Sequence, residues 1–425
     1  MTSATAHDTV TIEDVVITVV MARVTDFFGF FVYAIASALV FPTIFFPHLD
    51  QVTGTLWSFA LFSLAFLARP IASLAGRSLQ QKIGRTGKVT LALMLLGTST
   101  VAIGLMPGYD EIGIMAPVLL GVFRVIQGLG LGGAWDGITL QLKAAAPKHR
   151  EGMYGMIPQL GGPVGFCVAA ALFFVLTGFL TEEEFFTYGW RFAFFAVMAV
   201  NVVSLFARLR LLQTTLGDDV DISFRSAPIA DLVRAEWRTI LLSALLPLAS
   251  YALFHMVTVF PISYAVLFTE QPVSQILVLQ MIGGTLAICA VILSGVLADR
   301  MSKRAVLLLS ALLIVVVCFT IVTLNTAPSV YILLGFVALG LSYGQSSSIV
   351  PNRFRPEFRY SGSAMATNLS WILGAAFAPL LGLLLASTFG LWAAALYLLS
   401  GVVMTVLALS LLQRGMTRKG EAKAD

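Results

Sequence analysis

The chain has 425 residues, of which 58% are hydrophobic and only 11% charged, and it carries a formal net charge of +4. A mean hydropathy of +0.91 excludes a water-soluble globular domain, where about a quarter of the residues are charged. The positive excess is not a nucleic-acid footprint, because membrane topology accounts for where the basic residues fall.

The first residues, "MTSATAHDTVTIEDVV", are polar and acidic and lack the basic region of a cleavable signal peptide, so the first apolar run is expected to stay in the chain. Twelve apolar runs follow, at 15–46, 54–76, 89–107, 112–142, 153–178, 187–212, 239–268, 274–297, 304–325, 329–350, 360–386 and 389–412. Each is long enough for a helix to cross about 30 Å of hydrocarbon at about 1.5 Å per residue. The expected fold is an all-α integral membrane protein of twelve transmembrane helices.

Lys and Arg collect in alternate loops, with Arg191 as the lone base near the opposite set. Arg77, Lys82, Arg85 and Lys88 follow the second run, Lys143, Lys148 and Arg150 the fourth, Arg300, Lys303 and Arg304 the eighth, and Arg353, Arg355 and Arg359 the tenth. The opposite loops hold Asp50, Asp110, Glu111, Glu182, Glu183, Glu184 and Glu270. By the positive-inside rule the basic set is cytoplasmic, which places both termini inside, in the inner membrane of a bacterial host.

The longest polar segment between runs, "TTLGDDVDISFRSAPIADLVRAEWR" at 214–238, divides an N-terminal bundle (1–213) from a C-terminal one (239–425). It is expected to be a cytoplasmic linker, partly helical from Ala230. Each half carries a related loop after its second helix, "GRSLQQKIGR" at 76–85 and "GVLADRMSKR" at 295–304, as a six-plus-six internal repeat would. Gln81 and Lys82 stand as the first-half counterparts of Asp299 and Arg300. The two bundles are therefore expected to be pseudo-symmetric.

The loop at 295–304 resembles the cytoplasmic loop motif of the major facilitator superfamily. "LARPIASL" (67–74), "RVIQGLGLGGAWDG" (124–137), "GMYGMIPQLGGPVG" (152–165), "YGWRFAFF" (188–195) and "FRYSGSAMATNLS" (358–370) resemble its metabolite:H⁺ symporter branch, which includes proline/betaine, α-ketoglutarate, citrate and shikimate transporters. The resemblance implies alternating access, with the loop aspartate near a helix N-terminus and paired with arginines across the cytoplasmic face. Gln81, Lys82, Arg85, Asp299 and Arg300 are accordingly expected to gate. With Gln81 in place of an acid, the first-half latch is expected to be weaker and the resting state shifted toward inward-open.

Ionisable residues inside spans are costly and mark function. Arg124, with Gln127 one turn on, can hold a carboxylate through a planar bidentate fork; structural pairing with an acid of the first helix is its alternative role. Asp26 is the first proton-coupling candidate, since a carboxylate that alternately pairs with an arginine can load and release a proton. Arg23 lies on its face of the helix. Where the family reads Glu-Trp-Tyr-Asp-Phe, this chain has Asp26, Phe27, Phe28 and Gly29, so one acid is missing; where it reads Glu-Trp-Gly-Gly, the chain has Ala134, Trp135, Asp136 and Gly137, so the carboxylate has moved. Asp136 and His255 are the further proton-coupling candidates. Tyr264, Gln345 and Asn368 are candidate substrate contacts in the second half, among polar and aromatic groups that include Tyr251, Gln280, Tyr343 and Trp371.

Cys167, Cys289 and Cys318 fall far apart within apolar runs and read as packing residues, so neither a metal site nor a disulfide is expected. No catalytic motif, cofactor or nucleic-acid partner is expected. The function implied is proton-coupled uptake of a small organic acid or zwitterionic metabolite by a monomer in the bilayer. Proton-antiport export of an amphipathic or toxic compound is the alternative.

Overall fold

The computed structural model describes residues 12–134, 142, 146–215 and 229–421. Every element in it is helical, as hydrocarbon demands of a chain that must satisfy its own backbone hydrogen bonds. The spans are α1 (Ile12–Leu39), α2 (Gln51–Gly76), α3 (Ser78–Leu105), α4 (Met115–Gly133) and α5 (Glu151–Phe179). After them come α6 (Arg191–Thr215), α7 (Ile229–Phe268), α8 (Val273–Arg300), α9 (Lys303–Asn325), α10 (Pro328–Ser346) and α11 (Pro356–Phe389), then α12 (Leu391–Glu421).

Breaks in the helices have local causes. Gly84, with φ at 75°, breaks the helical backbone near the start of α3. The first apolar run ends as a helix at Leu39 and continues as a short helix, Phe41–Phe45, with Pro42 in its first turn. α7 starts at Ile229 and is interrupted next to Pro247 and Pro261, where a backbone donor is missing. A bent segment, Glu182–Gly189, meets the next helix at 45° and includes a π-helical turn, Phe185–Gly189.

Packing repeats between the halves. α2 packs on α4 as α8 packs on α10. Both pairs close at glycines four residues apart: a Cβ at Gly128 or Gly132 would overlap the carbonyl oxygen of Ala65 or Arg69, and one at Gly340 would lie 2.5 Å from that of Ala287, with Gly344 equally close to Ser294. Small residues let backbones touch where hydrophobic burial gives no net drive between helices. The halves meet where α5 lies along α8 and where α2 lies along α11.

Candidate functional site

The glycine motifs aim particular side chains inward. Gly132 draws α4 against the carbonyl of Arg69, and Gly161 draws α5 onto Arg23. A Cβ at Gly165 would lie 2.8 Å from that of Phe27, and one at Gly162 would lie 2.9 Å from the Tyr343 ring. Between the halves these contacts leave a cavity of about 80 Å³.

Three charged groups line it: Arg23, Asp26 and Arg69. Arg23 and Asp26 are 3.9 Å apart, one turn along α1. Among the described residues no protein acceptor takes the Arg69 guanidinium, which instead lies 6.0 Å from the centre of the Trp371 ring. Trp371 opens a π-helical turn, Trp371–Ala376, in α11; such turns recur at functional positions in helices. Its ring stacks on Tyr251 at 4.4 Å, with 20° between planes, and on Phe66 at 6.0 Å. Gln159 donates to Ser347, tying α5 to the chain just beyond α10 at the cavity edge.

Arg124 lies elsewhere. It is 1% exposed, outside this cavity, and its guanidinium is held on three sides. Nε donates to the Phe62 carbonyl at 3.1 Å, Nη1 donates to Gln127 Oε1 at 3.0 Å, and the Tyr33 ring centre lies 3.9 Å away. Gln127 in turn donates to Thr100 at 2.8 Å. The adjoining void, lined by Arg124, Gln127, Asn201 and Asp26, offers only about 10 Å³ by the same measure, too little for a metabolite. Asp26 thus borders both spaces. The buried amide atoms of Asn201 and the second η-nitrogen of Arg124 have no hydrogen-bond partner among the described residues.

The other candidates are dispersed. His255 is fully buried, both ring nitrogens lack partners among the described residues, and its ring contacts Phe30, Phe31, Phe62, Phe66 and Phe254. Tyr264 donates to Asn325 at 2.8 Å near the far end of α7. Gln345 donates to the Gly152 carbonyl at 3.1 Å and accepts from Ser348 at 2.9 Å, bridging the halves. Asn368 is 8% exposed and outside the cavity lining, whereas its neighbour Thr367 is part of it. Asp136 lies outside the described residues.

At the end bearing the basic loops, Asp299 accepts from the backbone N–H of Gly152 at 2.6 Å and of Met153 at 3.2 Å. The carboxylate of one half thereby caps the first turn of α5 in the other. Lys303 reinforces the junction at 3.2 Å from Glu151. Counted back from the backbone break before the next helix, Gln81 precedes Gly84 by the same interval that Asp299 precedes Ser302, the N-cap of α9. Gln81 and Lys82 are exposed and make no side-chain hydrogen bond among the described residues, Arg85 is half-buried, and Arg300 is exposed.

Sequence reasoning missed Arg69, and it missed Gln159, Ser347 and Thr367. The signal for Arg69 was present, since "LARP" places an arginine inside an apolar run beside a proline. Among the described residues no group of three or more His, Cys, Asp or Glu could hold a metal ion.

A model of the Major Facilitator Superfamily matches residues 27–372. The inner membrane metabolite transport protein YhjE of Escherichia coli (strain K12) is 34% identical over 398 residues, covering 91% of this chain and 90% of its own. The shikimate transporter of the same organism is 26% identical over 402 residues, covering 92% of each. Among solved structures, a proton:xylose symporter superposes with a TM-score of 0.70 over 95% of each chain at 15% identity, a likeness of fold alone. The matching model, the long relatives and the pseudo-symmetric helices agree, and the chain belongs to the major facilitator superfamily, as a multi-pass membrane transporter rather than an enzyme.

Proposed function

We propose that the chain takes up a small organic acid or zwitterionic metabolite by alternating access, coupled to protons. The observation that carries this reading is the Arg69 guanidinium, inside the inter-half cavity with no protein acceptor among the described residues. A planar fork left without a carboxylate in a space of low dielectric is complementary to the carboxylate of a ligand. The names of the relatives support the same chemistry, since shikimate, proline and betaine each carry one carboxylate.

In this reading Arg69 holds the substrate carboxylate and Arg124 braces the N-terminal bundle. Asp26 carries the proton, with Arg23 as its counter-ion. The halves are 1–213 and 239–425, joined by 214–238, and both termini face the cytoplasm because the basic loops share that side. Asp299, on the same side, latches the cytoplasmic face.

The test is transport by purified protein in proteoliposomes with an imposed pH gradient. Asp26→Asn is expected to retain exchange of labelled substrate across the membrane and lose accumulation driven by the gradient. Arg69→Lys is expected to raise the half-saturating substrate concentration about tenfold or more, as loss of a bidentate contact does. Gradient-driven accumulation unchanged by Asp26→Asn would remove the coupling assignment.

A further inference from the structure

The inference concerns the substrate class, and it rests on the reading of the inter-half cavity as the substrate site. We propose that the transported acid is a monocarboxylate whose body is a planar, apolar ring.

The first argument is the wall. Six aromatic side chains face the cavity: Phe27, Phe30, Phe66, Tyr251, Tyr343 and Trp371. Of the few polar groups beside them, Gln159 and Ser347 are already bonded to each other. Thr367 and the tyrosine hydroxyls could take only some of the polar groups of a polyhydroxylated or polycarboxylated body, and each group left without a partner carries a penalty of about 1–3 kcal/mol. An apolar ring carries no such penalty.

The second argument is charge. Asp26, 3.9 Å from Arg23, acts electrostatically on Arg69 as well, so the two guanidiniums and one carboxylate of the lining leave a single net positive charge. One cation calls for one carboxylate. A second anionic group would find no second fork. A quaternary ammonium would also be disfavoured, because the electron-rich face of Trp371 that could hold it lies toward the Arg69 cation, 6.0 Å from the ring centre.

The third argument is geometry. Tyr251, Trp371 and Phe66 lie nearly parallel, with 20° and 24° between successive planes, and form a stack of flat rings at the cavity that a further flat ring can extend. A flat ring can lie offset-stacked on it while its carboxylate reaches the guanidinium beside Trp371.

The experiment is thermal unfolding of the full-length protein in detergent, titrated separately with benzoate, cyclohexanecarboxylate, lactate, citrate and glycine betaine. Each binder stabilises the folded state by mass action. Benzoate is expected to stabilise with an apparent Kd about tenfold below that of lactate, the ratio that stacking beyond area burial supplies. It is also expected to bind more tightly than cyclohexanecarboxylate, which matches its size without its π-face. Trp371→Ala should abolish the preference for benzoate, and Trp371→Phe should keep it. The comparison of the two ring acids tests stacking on the unmutated protein, so a poorly folding variant does not blunt the result.

Absence of a benzoate shift, or a stronger shift with lactate, citrate or glycine betaine, overturns the inference. If one of those three binds instead, the reading of the site as a carboxylate or zwitterion carrier stands without it. If no acid or betaine binds, both fall together.

Discussion

Asp299→Ala is the substitution that bears most directly on the latch between the halves. The wild-type carboxylate accepts two backbone N–H groups, from Gly152 at 2.6 Å and Met153 at 3.2 Å, at the start of α5. Removing an N-cap acceptor costs about 0.5–2 kcal/mol, and the partial exposure of this site favours the middle of that range. A latch weakened by about 1–2 kcal/mol changes the ratio of closed to open forms by a factor of roughly 5–30. Lys303, 3.2 Å from Glu151, still spans the junction, so the halves loosen there without parting. Amide hydrogen exchange is the assay. Exchange at Gly152 and Met153 is expected to rise by that factor, while amides in the middle of α5 keep their protection. Asp299→Asn, which retains one acceptor oxygen, should fall between. Unchanged exchange at both amides in Asp299→Ala would refute the assignment of this carboxylate as the cap that joins the halves.

Three other outcomes are expected. Gly132→Ala places a methyl group against the Arg69 carbonyl, a backbone atom that cannot swing away, and should lower stability by about 1–3 kcal/mol in denaturant titration; Gly178→Ala meets nothing within 4 Å and should be neutral or stabilising. Gln81→Asp should restore a first-half carboxylate latch, read as slower exchange at the start of α11; unchanged rates there would dismiss the correspondence with Asp299. Asp50 caps α2 through the Thr53 N–H at 3.0 Å, and hydrogen bonding from the Thr53 side chain first and its backbone N–H second holds the carboxyl below its ordinary value. Its folded pKa being lowered, the cap is intact at neutral pH and lost only as the pH falls through that lowered value. Exchange in the first turn of α2, corrected for intrinsic rates, should therefore change only in acid, and Asp50→Asn should remove that dependence.

Much of the architecture is written in local properties of the chain. A run of apolar residues long enough to cross the hydrocarbon must be helical, because no neighbour is needed to satisfy its backbone, and the alternation of basic and acidic loops supplies the expected orientation of the runs. The glycines at 128 and 132 likewise advertise a close approach before any partner is known, and Gly340 and Gly344 carry the same spacing in the second half. The bends in the seventh span, beside Pro247 and Pro261, were available from the prolines alone.

What only the tertiary structure decided is which way each side chain faces. Lipid and protein core are both apolar, so a membrane helix shows little amphipathic stripe, and Arg69 and Arg124 look equivalent in sequence. Packing separates them: the Gly132 contact sets α4 against α2 so that Arg69 opens onto the cavity, while Arg124 is enclosed by the Phe62 carbonyl, Gln127 and Tyr33. The partner of Asp299 was hidden for another reason. Family resemblance directed attention to arginines, yet the latch takes main-chain N–H groups 147 and 146 positions away, which every residue but proline carries and no sequence pattern marks. Composition and periodicity determine that this chain spans a membrane in twelve helices, because those are properties of single segments; the cavity belongs to rotations and contacts among seven of them, and these exist only after the segments pack.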